Sequence, residues 1–264
     1  MHADIIAHQS EPLRILLRGD MKEAIESKVT WAETSVDTFL LFSQYAYTGD
    51  YSVTKAEDPV KDEEIFSDEQ AKPVPSNAAA HAAKTRVSKI AADGWHDQNN
   101  NFKAFSTDKQ EKARQRWGKI WENMVNLYPE PDMQISIHHA PTEVPINTQP
   151  EALLHHARLY IFADYHNITN LQRLARYKIG QAFRSLPDTK GWCVNFFDLI
   201  VYCYANTMCI GKGDNSLRKL IAVYAAHHVD VFWEWERFGE VIEEVGEFGR
   251  DLMREVLALK KGTT

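Results

Sequence analysis

Residues 151–183, EALLHHARLYIFADYHNITNLQRLARYKIGQAF, decide the fold. In the first half Leu153, Leu154, Ala157, Tyr160, Ile161 and Ala163 recur at helical three- and four-residue steps. That spacing puts them on one wide face of an α-helix, which must be buried against something. The pattern breaks at Asn167. Thr169 then stands at an N-cap position with Gln172 three residues later, as in a capping box, and Leu171, Leu174, Ala175, Ile179, Ala182 and Phe183 rebuild an apolar stripe. The stretch predicts a helix, a tight turn and a second helix. So short a connection makes the two helices neighbours, and each needs another partner on its remaining buried side.

A partner lies about a hundred residues upstream, in FLLFSQYAYTGDY at 39–51. Phe39, Phe42, Ala46 and Tyr47 are spaced as a helix with an aromatic face, and Thr48-Gly49-Asp50 closes it with a glycine-containing cap. The expectation is that the two stretches meet in space, with the segment ending at Tyr51 against Leu153, Tyr160 and Leu174. Residues 55–150 are then an insertion. Its acidic part (57–69) and small-residue part (73–83) carry too few apolar side chains to offset the entropy of ordering. Helical character returns at 109–127, where Trp117, Ile120, Trp121, Met124 and Leu127 share a face.

Residues 3–18 predict helix, with Ile5, Ile6, Leu13, Leu16 and Leu17 inward and a fresh start near Ser10 imposed by Pro12. Residues 28–31 predict a short strand with Val29 and Trp31 on one side, and 134–137 an edge strand. After the hairpin, residues 192–208 and 217–225 predict two further helices. A final long helix follows, marked by Phe238, Val241, Ile242, Val245, Phe248, Leu252, Met253 and Val256, with Gly246 and Gly249 weakening it.

Three stretches, HADIIAHQSEPLRILLRGDMKEA at 2–24, AYTGDY at 46–51 and LLHHARLYIFADYHNITNLQRLA at 153–175, together resemble a BTB/POZ domain of the kind found in fungal proteins. The order and spacing of these motifs match that family over nearly all the patterned regions. The resemblance implies an α+β, predominantly helical fold. Its parts are a BTB/POZ-like helical core with a reduced small sheet (1–54 and 151–186), the insertion (55–150) and an appended C-terminal helical extension (187–264). The family places a pair of strands ahead of the segment that matches His2 to Arg18, and this sequence has none there. The resemblance therefore implies a shortened domain in which Ile5, Ile6 and Leu13 are more exposed than in a complete one.

Function follows from the same resemblance: a non-enzymatic protein–protein interaction module, acting by self-association or as an adaptor for a cullin ubiquitin-ligase scaffold. In the family, cullin contacts come from the region around the helix before the Tyr-Thr-Gly motif, which here points to Phe39, Phe42, Tyr45 and Tyr51. The competing structural role, filling the core, is favoured for Phe39 and Phe42.

Composition narrows the field. With 44% hydrophobic and 25% charged residues the chain has the make-up of a globular protein. It contains no run of about 18 uncharged apolar residues, so no membrane span is expected. The N-terminal residues lack the layout of a secretory signal, and an intracellular setting, cytoplasmic or nuclear, is expected. Cys193, Cys203 and Cys209 are odd in number and lie in or beside apolar helical sequence, which predicts reduced core residues.

Three histidine pairs, His138-His139, His155-His156 and His227-His228, invite a metal reading. Adjacent helical side chains point about 100° apart and do not chelate one ion, and no HExxH is present. No metal, cofactor or small-molecule substrate is expected. Gly211-Lys212-Gly213-Asp214 follows a helix, whereas a phosphate-binding loop follows a strand, so it predicts a turn. Residues 84–119 are basic, with Trp95, Phe102 and Phe105 interspersed, which supports an alternative reading as a nucleic-acid-associated regulator. Asp93, Asp97, Asp108 and Glu111 dilute that patch, and the net charge of -7 argues against nucleic acid as the main partner.

Overall fold

The computed structural model describes residues 2–20, 22–53, 115, 117–118, 152–185, 190–208 and 216–262. The expected strand at 134–137, most of the expected helix at 109–127, most of the basic segment 84–119, His138-His139, Cys209 and Gly211 to Asp214 lie outside these residues. The chain divides into two compact units, Met1–Val53 with Phe105–Thr264, and Thr54–Ala104. All the described residues belong to the first.

Every regular element among the described residues is a helix. In chain order these are α1 (Ala3–Ala7), α2 (Glu11–Arg18), α3 (Lys22–Ile25), α4 (Val36–Thr48), α5 (Ala152–Tyr165), α6 (Thr169–Ser185), α7 (Lys190–Asn206), α8 (Ser216–His227), α9 (Val229–Phe232), α10 (Glu236–Glu244) and α11 (Gly246–Lys260). The described residues are thus predominantly helical, as expected. Residues 28–31 are not a strand. Lys28 N–H bonds back to the Glu23 carbonyl at 3.0 Å, and Trp31 turns inward instead, packing on Phe39, Phe42, Phe162 and His166. A lone extended segment needs a ladder partner, and among the described residues none runs beside it.

The hairpin α5–α6 is the centre of the unit. Eight of α5's residues are buried, spread around its circumference, as befits a helix with neighbours on several sides. It packs against α4, α6 and α7. The turn is a Schellman arrangement: Ile168 N–H reaches the Ala163 carbonyl at 2.8 Å, Asn167 N–H reaches Asp164 at 3.1 Å, and Asn167 takes the left-handed conformation at φ 53°. Ile168, buried, plugs the turn. The capping box expected from Thr169 and Gln172 is replaced by a bridge across the turn, Gln172 Nε2 donating to Asp164 Oδ1 at 2.7 Å.

The fresh start near Ser10 is present: Ser10 Oγ accepts the Leu13 N–H and Pro12 occupies the first turn. Of the three residues expected to be more exposed than in a complete domain, Ile6 and Leu13 are buried and Ile5 is half-buried. Both buried side chains join the single core that runs through α4 and the hairpin, so apolar surface nearby covers them.

Helices α7 and α8 and the short α9 supply an aromatic core. Phe196 stacks on Trp192 and Phe232 with centroids 5.7 and 5.1 Å away, and Tyr224 stacks on Phe183 at 4.3 Å. The expected final long helix is two helices. At Val245, φ -116° and ψ 72° interrupt it. Gly249 explains the tightness of the corner, since a Cβ there would come within 3.1 Å of Ile242 Cγ2. Arg218, 5% exposed, fastens this end. It donates to the Tyr204 carbonyl (3.0 Å), to the Thr207 carbonyl and hydroxyl, and to Glu247 (2.5 Å), which caps the carbonyl end of α7 with a charged fork.

Gly49 requires glycine, because it ends α4 at φ +79° while its N–H bonds the Tyr45 carbonyl. Gly49→Ala is expected to cost about 1 kcal/mol through the left-handed backbone alone, read as a lower urea midpoint at unchanged slope.

Candidate interaction site

Helix α4 begins at Ser35, whose hydroxyl accepts the Thr38 N–H at 3.2 Å, and its sequence VDTFLLFSQYAYT carries one charged residue in thirteen positions. Among the described residues its apolar side chains divide between two faces. The inward face holds Phe42, fully buried and 4.9 Å from the Phe162 ring, and Tyr45, also buried. Phe39 is half-buried, 5.3 Å from Trp31. The outward face holds Val36, Leu40 and Tyr47, respectively 73%, 59% and 49% exposed. Steps of four and seven residues put all three on one side of the helix. Tyr47 is steadied at the far end, its hydroxyl accepting the His2 backbone N–H at 3.0 Å.

Beyond Gly49 the chain turns onto the hairpin. Thr48 Oγ1 donates to the Gln44 carbonyl at 2.8 Å and accepts the Asp50 N–H at 3.2 Å, which aims Tyr51 inward. The Tyr51 hydroxyl and His156 Nδ1 are hydrogen-bonded at 2.8 Å inside the core. Lys178 closes the cluster from α6: its Nζ lies 2.5 Å from Asp50 Oδ1 and from the Tyr51 carbonyl, and 4.4 Å from the Tyr51 ring centroid. Burial, then the Lys178 charge, then that of His155, pull the His156 pKa from 6.5 to about 3. Burial, reinforced by Asp50, holds the Tyr51 hydroxyl protonated well above its usual range. At neutral pH the pair is uncharged, a satisfied buried hydrogen bond joining segments 105 residues apart in sequence.

The stretches around Tyr51 and the hairpin therefore do meet. Of the four residues the sequence nominated, Phe42, Tyr45 and Tyr51 are buried and Phe39 is half-buried. The surface that α4 offers is made of Val36, Leu40 and Tyr47 instead. Its sequence signal is the four-residue step from Val36 to Leu40 on a helix almost free of charge, a weaker pattern than the aromatic periodicity of the opposite face.

The remaining chemistry is dispersed. His228 Nδ1 bonds the Tyr224 carbonyl at 2.9 Å and its ring stacks on Tyr224. Cys193 and Cys203 are buried thiols, the latter's pKa pushed up by burial. Among the described residues no three His, Cys, Asp or Glu side chains converge on a metal position, and no helix is long and apolar enough to cross a membrane. No family model, no curated protein and no solved structure matches the chain.

Proposed function

We propose that the chain is a protein–protein interaction module of BTB/POZ type, with α4 as its docking face and a cullin ubiquitin-ligase scaffold or a further copy of itself as partner. The observation that carries this reading is the outward row of Val36, Leu40 and Tyr47 on a helix with one charge. Interface centres are depleted of charged residues and enriched in aromatic ones, and an uncharged exposed row that includes a tyrosine fits that composition. The motifs at 2–24, 46–51 and 153–175 supply the family, and the packing of α4 on α5 supports it by joining the sequence segments it requires. The reduced sheet included in this reading has no counterpart among the described residues. An intracellular setting, cytoplasmic or nuclear, belongs to the same proposal.

Calorimetric titration of the full chain with a purified cullin N-terminal segment tests it. The wild type binds, and Val36→Asp with Leu40→Asp weakens binding at least tenfold while the unfolding curve stays in place, since both side chains are exposed. Binding that survives the double substitution removes α4 as the docking face, and a wild type that does not bind removes the cullin role.

A further inference from the structure

Helices α10 and α11 carry opposite charge on their exposed sides. On α11 the inward face is fixed by Phe248, Leu252 and Glu255, all buried, the last held by Lys219 at 2.6 Å. The opposite side presents Arg250, Arg254, Lys260 and Lys261 around two apolar side chains, Met253 (58% exposed) and Leu257 (47% exposed). Asp251 lies between the two arginines, 3.6 Å from Arg250 and 3.3 Å from Arg254, and offsets one of these charges. The surface is cationic and apolar on a chain whose net charge is -7.

Its complement lies a few residues upstream. Helix α10 turns Phe238 and Val241 inward and leaves Glu236, Glu240 and Glu243 exposed, with Asp230 and Glu234 on the approach to it. Arg237 is the one cation there and is engaged within the helix, by Glu240 at 3.0 Å and Glu244 at 3.3 Å. Amid these carboxylates Trp233 stands 70% exposed. An exposed tryptophan in an acidic surround is suited to covering apolar side chains and long cationic ones together, through ring contact and cation–π attraction.

We propose that the outward face of α11 in one copy docks on the α9–α10 face of a second copy, Trp233 covering Met253 and Leu257 and the carboxylates facing Arg250 and Arg254. Every copy carries both faces, so a pair related by a two-fold axis forms the contact twice, and the charge complementarity selects a second copy of the chain as occupant. The site is separate from α4, so the proposal stands whether or not α4 binds a cullin.

Sedimentation velocity on the full chain decides it. The wild type dimerises at about 0.1 M salt and loses at least tenfold in association at about 1 M, as the screening length falls from about 10 Å to about 3 Å. Arg250→Glu with Arg254→Glu gives a monomer. Glu236→Lys with Glu243→Lys gives another, and mixing the two variants restores a dimer, because each reversed face then meets its complement. Trp233→Ala, at an exposed position that folding does not need, weakens the dimer at unchanged thermal midpoint. Val36→Asp with Leu40→Asp leaves it intact, which separates this surface from α4. A wild type that stays monomeric at low salt overturns the proposal, including one whose α11 instead binds vesicles of anionic lipid. So does a dimer indifferent to salt and to both charge reversals, or a pair of variants that fails to reassociate.

Discussion

Trp117→Ala is expected to destabilise the protein by about 3–5 kcal/mol, the cost of deleting a large side chain from a packed core. Trp117 is 2% exposed. Its ring meets Tyr224 edge-on at 4.7 Å and lies 6.3, 6.3 and 6.2 Å from Phe183, His227 and His228. Rings from α6, from α8 and from His228 just beyond α8 therefore converge on this one residue. In the absence of the indole, Tyr224 loses one of the rings that fix it, while its stacking on Phe183 and His228 remains. The loss should appear as a fall in the thermal midpoint of roughly 10 °C, at about 2–4 °C per kcal/mol for a chain of this size. Trp233→Ala is the control: its side chain is exposed, and its substitution should change stability by no more than about 0.5 kcal/mol. Equal midpoints for Trp117→Ala and the wild type would mean that this residue lies outside the core in solution.

The contrast between these two tryptophans shows what a linear sequence conveys. Trp117 belonged to a visible helical stripe, so its burial could be anticipated, although the rings that receive it could not. Trp233 lies in DVFWEWERF, where Val231, Phe232 and Trp235 are equally apolar, and only the turn between α9 and α10 determines which of them faces outward. The hairpin and α4 were legible because each contains its own periodicity, caps and breaker. The interruption at Val245 was not, because Val241, Ile242, Val245, Phe248 and Leu252 keep a helical rhythm straight through it. Its one local sign was the pair Gly246 and Gly249, which reads as weak helix as readily as a corner. The burial of Ile6 and Leu13 is illegible for a different reason: their cover comes from apolar residues remote in sequence, and local spacing carries no information about them. The same holds for His156, which in sequence is one half of a histidine pair. In the structure it is partnered by a tyrosine 105 residues upstream.

That histidine governs the second large effect. His156 has its pKa depressed from the ordinary 6.5 to about 3, chiefly by burial and then by Lys178. Between these two values the unfolded chain takes up a proton that the folded chain refuses, so acidification favours unfolding. The stabilisation is complete above pH 6.5 and is lost as pH falls toward 3, with a slope of up to about 1.4 kcal/mol per pH unit. Urea unfolding measured at intervals through this window should show the free energy declining on the acid side. His156→Gln, uncharged at every pH, should be less stable at neutrality and lack this part of the decline. Asp198 pulls the other way: its carboxyl pKa is raised mainly by burial, so its contribution is present below 3.8 and fades as pH rises through the folded value. His155 and His166, both lowered first of all by burial, add to the decline. These three residues remain in both proteins, and the difference between the two profiles isolates His156. Parallel profiles would mean that the imidazole takes up a proton as readily in the fold as outside it, which a ring sealed against Tyr51 and beneath Lys178 does not do. The Tyr51–His156 bond would then not be closed in solution, and the segment that follows α4 would lose this tie to the hairpin.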